Sequence, residues 1–331
     1  MTSADHSADT RERRRSPWKN RLKHGVTACF FVLVPVLLFM LLRDTDWQEV
    51  KEALQGYRIR TLLGGAAIAG LSFLVFSSYD LLGRIYTGHR LPVRQILPLA
   101  FVCYAFNLNF GAWVGGVALR YRLYSRLGLK APTITGVLSI SLITNWLGYM
   151  LVAGTLFSFR LMAVPSGWKI NVVTLQFIGF GLLAVSFTYL LACRLAKRRS
   201  WQWRKHQITL PSLKLASMQA FLGALNWLLM AALIYLLLPE QAFYPSVLAI
   251  LMVSSIAGVI THIPAGLGVL EAVFIALLKA DIATGALMAA LIAYRAVYFL
   301  LPLSFALVIY LVMEKRAKKT GGDSRGAADA L

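Results

Sequence analysis

Arg295 stands near the middle of an apolar run, in Ala293-Tyr-Arg-Ala-Val-Tyr298, and is the only formal charge between Gly285 and Met313. A guanidinium at that depth in hydrocarbon is either paired or binds an anion, since an isolated charge at mid-helix costs about 2.5–3.5 kcal/mol on insertion scales. Its nearest candidate partner is Glu271, in the stretch Ser246–Leu278, where an apolar run is broken by His262-Ile-Pro-Ala-Gly-Leu-Gly-Val-Leu-Glu271. Pro264 lacks an N–H, and Gly266 and Gly268 hold helical backbone weakly, so these three positions interrupt a helix. Inside a bilayer, backbone freed in this way survives only when buried in protein or lining a wet cavity. The residues after Pro264 then open a half-helix whose first N–H groups attract anions. Gly115-Gly116 followed by Arg120, with Asn107 upstream, repeats the pattern of breaker and charge. Free amides with arginine suit a phosphate, and a membrane substrate that carries phosphate is a phospholipid or a polyprenyl phosphate.

Each of these residues also has a plainer reading. Glu271–Arg295 can be a resting pair that only holds a kinked hairpin together. Tyr294 and Tyr298 flank the arginine at helical spacing and serve either phosphate oxygens or the core. Asn107 suits a headgroup, although an asparagine in a membrane hairpin is more often structural glue, and His262 beside a break suits a hydrogen-bonded structural role. Asp80 and Arg84 lie one turn apart at a span end and read as a snorkelling surface pair. Trp201 and Trp203, set among basic residues, read as a contact with anionic lipid.

Composition decides the class. The chain has 331 residues, 58% of them hydrophobic, and a net charge of +20. Its mean hydropathy of +0.65 is too high for a soluble domain, so the chain is a polytopic membrane protein. The basic residues cluster between apolar spans, as cytoplasmic loops do, and do not indicate nucleic acid. Cys29, Cys103 and Cys193 lie in or beside apolar spans without CxxC spacing, which argues against disulfides and a thiolate metal site. Neither HExxH, nor a P-loop, nor GxSxG, nor a metal-spaced acidic pair occurs, so we expect no cofactor, no metal and no enzyme activity. No cleavable signal peptide is visible before the first apolar run.

Charge parity sets the expected topology. Residues 1–23 form a basic, disordered cytoplasmic tail, and spans follow at about 24–42 and 59–82, with a far-side interfacial helix, Asp44–Leu54, between them. The run 96–119, taken as a full crossing, would deliver Arg120, Arg122, Arg126 and Lys130 outside, which the positive-inside rule opposes. A re-entrant hairpin removes the conflict. Spans at about 132–159, 172–192, 215–238 and 285–313 complete the set, and parity makes 246–278 a second hairpin of opposite orientation. The expectation is an all-α polytopic membrane protein with about six spanning helices and two re-entrant or broken helical hairpins. Residues 24–160 and 172–313 then have the form of inverted repeats, which place substrate near the midplane where broken helices meet. A cytoplasmic tail, 314–331, follows. Asn145-Trp-Leu147 and Asn226-Trp-Leu228 echo one another, though not at equivalent positions of the two halves.

The same motifs carry a resemblance. Asn107…Gly115-Gly116-x3-Arg120, Pro264-Ala-Gly-Leu-Gly-x2-Glu271 and Arg295-x2-Tyr298-x3-Pro302 resemble the lysylphosphatidylglycerol synthase transmembrane-region family, the flippase domain of bacterial multiple peptide resistance factors. The likeness spans about residues 20–313. It implies a multi-pass protein of the bacterial inner membrane, both termini cytoplasmic, that moves or binds anionic phospholipid, with a link to cardiolipin and phosphatidylglycerol metabolism. A full resistance factor carries a lysyl-transferase domain after its membrane part, whereas this chain ends 18 residues after Met313, so lipid aminoacylation is not expected of it. Translocation is the first expectation. A non-transporting lipid-binding scaffold for a cardiolipin-synthesising enzyme is the second, and a transferase acting on polyprenyl phosphate the third.

Overall fold

The computed structural model describes Gln48 and residues 51–52, 55–161, 172–196, 200–203, 206–239, 242–261 and 266–328. The expected tail 1–23, the span at 24–42, most of the helix Asp44–Leu54, His262 and Pro264 lie outside the described residues.

Helix α1 (Ile59–Thr87) is a long apolar helix, closed by Gly88 in the left-handed region with its N–H on the Arg84 carbonyl. After Pro92, α2 (Val93–Phe110) runs to Gly111, whose φ of 85° turns the chain. The chain returns through a wide-turn segment, Ala112–Ala118, into the short α3 (Leu119–Arg126). This return packs so closely that a Cβ on Gly115 would overlap the backbone of Phe106 and Asn107. The expected first hairpin is therefore present, and Gly115 is what allows its two arms to touch.

Helix α4 (Ala131–Ser158) and α5 (Val172–Leu195) follow. Between α5 and α6 (Leu213–Leu237) the basic loop contains a two-stranded antiparallel ribbon, β1 (Ser200–Trp203) with β2 (His206–Thr209), in which Trp201 pairs with Ile208. The Tyr86 hydroxyl donates to the Thr209 carbonyl at 2.7 Å and ties this ribbon to the end of α1.

Among the described helices, α1, α4 and α6 pack on one another. α4 and α6 cross where Gly148 meets Gly223, and a Cβ on either would strike the other's backbone. Without a hydrophobic force between helices in lipid, such small residues allow the close packing that holds them. The two Asn-Trp-Leu triplets come together here. Trp227 Nε1 donates to the Asn145 carbonyl at 3.3 Å, and the Tyr149 ring stands edge-on to both Trp146 and Trp227.

The second hairpin consists of α7 (Tyr244–Thr261) and α8 (Val269–Leu278), packed against each other on either side of the break. The final helical path is α9 (Thr284–Arg295), a wide π-type turn at Ala296–Leu300, and α10 (Leu301–Ala328), which continues past the expected end at Met313. Among the described residues, six helices are long and apolar enough to cross a membrane. The composition of that set differs from the expectation, because it includes α7, which has 18 residues, about 27 Å at 1.5 Å per residue. Its partner α8 has 10 residues, about 15 Å, and turns back. The chain is an all-α polytopic membrane protein, with a long first arm and a short second arm in its second hairpin.

Candidate functional site

Glu271 lies in the first turn of α8, where Gly268, at φ 78°, begins the helix. Its Oε2 accepts the Gly268 N–H at 2.9 Å, so one of the half-helix amides expected to be free is capped by the carboxylate itself. Arg295 closes α9 and donates from Nε to Glu271 Oε1, from Nη2 to Glu271 Oε2 at 3.0 Å, and from Nη2 to the Gly266 carbonyl at 3.0 Å. The pair is thus a two-toothed fork, the strong and directional form of such an ion pair. Neither partner is sealed: the Arg295 side chain is 15% exposed and that of Glu271 8%. Counting along α9, Arg295 is 11 residues from Thr284, about 17 Å and so roughly half of a hydrocarbon core.

The turn that follows Arg295 is where the first hairpin docks. The guanidinium lies 5.3 Å from the centre of the Phe299 ring, and the Phe299 carbonyl accepts from Asn109 Nδ2 at 3.3 Å. A π-type turn leaves main-chain carbonyls poorly paired within their own helix, which makes Phe299 available to an outside donor. The end of α2 and the start of α8 therefore both meet the last helix within one turn of Arg295. Asn109, which none of the sequence motifs above includes, is the side chain that makes this junction.

The remaining predicted residues divide. Gly266, Gly268, Glu271 and Arg295 are brought together; Pro264 lies outside the described residues. Asn107, Gly115 and Gly116 stay with the first hairpin, where Asn107 Oδ1 lies so near Gly116 that a Cβ there would approach it to 2.9 Å. Tyr298 is fully buried, and its hydroxyl meets Ser72 Oγ at 2.8 Å, which in turn donates to Asn226 Oδ1 at 2.7 Å. Tyr294 is buried as well and stacks on Tyr298 at 5.4 Å. Both tyrosines are core aromatics in this conformation.

Arg120 has a partner that the sequence reading misassigned. Asp80 is not part of a surface pair with Arg84: it is fully buried and receives Arg120 Nε at 3.1 Å and Nη2 at 2.8 Å. Ser141 Oγ (2.8 Å), Tyr124 OH (2.8 Å) and Tyr104 OH (3.3 Å) complete its shell. Arg120 Nη1 turns to the Gly116 carbonyl at 3.3 Å, and Tyr104 lies under the guanidinium at 4.6 Å. With 2% of its side chain exposed, Arg120 is committed to the protein and does not face a headgroup here. The structure carries α1 on to Thr87, which sets Asp80 two turns inside the helix, where it requires a cation, and the nearest in sequence is not the nearest in space.

The chain matches the family described as Lysylphosphatidylglycerol synthase TM region over residues 26–306. It is 46% identical over 306 residues to the Escherichia coli protein named Inner membrane protein YbhN, covering 92% of this chain and 96% of that one. An uncharacterized protein of Synechocystis is 31% identical over 311 residues, covering 91% and 96% respectively. A protein of Staphylococcus haemolyticus named Phosphatidylglycerol lysyltransferase is 22% identical over 310 residues, which are 88% of this chain and 34% of that protein.

Proposed function

We propose, for a chain that belongs to the lysylphosphatidylglycerol synthase transmembrane-region family, that it binds and translocates an anionic phospholipid in the inner membrane, with basic loops and both termini cytoplasmic. One observation carries the reading. At half-depth, the Glu271 carboxylate is held by the Arg295 fork and the Gly268 N–H in the manner in which a phosphodiester would be held. A headgroup arriving there exchanges one oxyanion for another, so the arginine is never left unpaired in a low-dielectric setting. The junction of both hairpin tips at this turn gives the exchange a route to either leaflet. Membership of a family named for phosphatidylglycerol chemistry supports phosphatidylglycerol or cardiolipin as the lipid class.

The test is transport in vesicles reconstituted with purified protein and fluorescent phosphatidylglycerol, reading loss of outer-leaflet label to dithionite. Wild-type protein should equilibrate the leaflets, and Arg295→Ala should not. Equal rates from both proteins would overturn the proposal. Retention of lipid by wild-type protein without any movement would instead support a lipid-binding scaffold.

A further inference from the structure

Away from that turn, two guanidiniums converge on a carboxylate of α10, just past the end of its apolar run at Met313. Arg122 and Arg126 lie one turn apart on α3. Arg122 Nη2 reaches the two Glu314 oxygens at 3.2 and 3.4 Å, while Arg126 donates from Nη1 at 2.5 Å and from Nη2 at 3.1 Å. The Tyr310 ring sits 5.8 Å from the Arg122 guanidinium. Unlike Arg120, both arginines are open to the surroundings, at 50% and 40%, so an incoming anion can reach them. These three side chains together carry one excess positive charge, and the exposure of the two arginines screens their hold on Glu314.

We propose that Arg122 and Arg126 form a separate binding site for the phosphodiester of an anionic phospholipid, with Glu314 as its removable internal occupant. The helix beside it supplies the apolar half of such a site. Leu307 and Leu311 lie seven and three residues before Glu314, hence on its face of α10, and both are exposed. Acyl chains laid along that face place a headgroup level with the two arginines, where the apolar run ends at Met313. This site requires no transport and stands or falls on binding alone.

Native mass spectrometry of the full chain in detergent, titrated with phosphatidylglycerol, tests it. Glu314→Gln should raise lipid occupancy about threefold, and Arg122→Gln/Arg126→Gln should lower it below wild type with the melting temperature kept. Arg90→Gln/Lys130→Gln removes the same charge from exposed positions and should leave occupancy unchanged. Inorganic phosphate at equal concentration should not displace the lipid from Glu314→Gln; displacement would assign the site to free phosphate and refute the lipid assignment. Unchanged occupancy in Glu314→Gln, or equal losses in the two double variants, would reduce the three residues to a tether between α3 and α10 and overturn the proposal.

Discussion

Replacing Asp80 by Ala tests whether the deeper chemistry of this protein is divided between two ion pairs of different kinds. Asp80 accepts five hydrogen bonds, two from Arg120 and one each from Ser141, Tyr124 and Tyr104. Three interhelical hydroxyl bonds at about 0.6 kcal/mol each, the average measured within membranes, amount to about 2 kcal/mol. The larger loss is the stranded guanidinium, since removing one partner of a buried pair costs about 3–5 kcal/mol. Asp80→Ala/Arg120→Met strands no charge and should therefore lose only the smaller amount, leaving the double variant more stable than Asp80→Ala. Thermal unfolding in detergent, followed by tryptophan fluorescence, gives the comparison directly. A double variant that melts at or below Asp80→Ala would refute the reasoning, because the stranded guanidinium would then not be the larger loss.

Four other outcomes follow from the same geometry. Glu271→Gln should keep the fold, losing about 1–3 kcal/mol because Arg295 retains the Gly266 carbonyl, while lipid retention rises and transport stops; unaltered transport in vesicles would contradict the exchange of anions. Gly148→Ala should lower stability by about 1–3 kcal/mol or more through overpacking against Gly223, whereas Gly181→Ala, with no atom within 4 Å of the new Cβ, should change little; similar melting temperatures would count against the crossing. His89, in the link between α1 and α2, is held below its ordinary 6.5 first by burial and then by Arg84, with Asp80 pulling the other way. The unfolded chain then takes up the proton first as pH falls, so this contribution to stability is full above about 6.5 and is lost as pH drops through that value toward the lower folded one; His89→Gln should flatten the decline in melting temperature between pH 7.5 and 5, and an identical profile would show another group to be responsible. Single cysteines at Lys130 and Arg194, in a background without native cysteine, should react with an impermeant maleimide from one side of the membrane and a cysteine at Lys279 from the other; opposite sides for Lys130 and Arg194 would remove the first hairpin.

The hairpins were legible because charge and backbone breakers act over short distances. Four cations after residue 119 forbid a simple crossing, and Gly266, Gly268 and Glu271 mark a break within a few residues. The pairing of Glu271 with Arg295 was legible because a lone charge in each of two neighbouring apolar runs leaves little choice of partner. Asp80 misled for the converse reason. It had a cation one turn away in Arg84, while its real partner lies 40 residues on, across a hairpin whose packing depends on the missing side chain of Gly115. Asn109 was equally out of reach, since its acceptor exists only because the last helix widens at Ala296–Leu300, and no residue type announces such a turn. The strength of α7 as a span in its own right was hidden by treating both arms of its hairpin alike.

The contrast between the two buried pairs bears on which of them can move. Asp80 and Arg120 are enclosed by α1, α2, α3 and α4, with every strong donor aimed inward, so opening them disrupts four elements at once. Glu271 and Arg295 lie between the start of α8 and the π-type turn that follows α9, and their side chains are 8% and 15% exposed, against 0% and 2% for Asp80 and Arg120. Bond for bond, the second pair has the smaller barrier to a change of partner, although it lies closer to half-depth, where an unpaired charge is most costly. The anion exchange proposed above fits both facts, since it proceeds without a stage at which the arginine stands alone. On the proposed function, loss of the Asp80 knot should abolish transport by loss of fold, whereas loss of Arg295 should abolish transport with the fold intact.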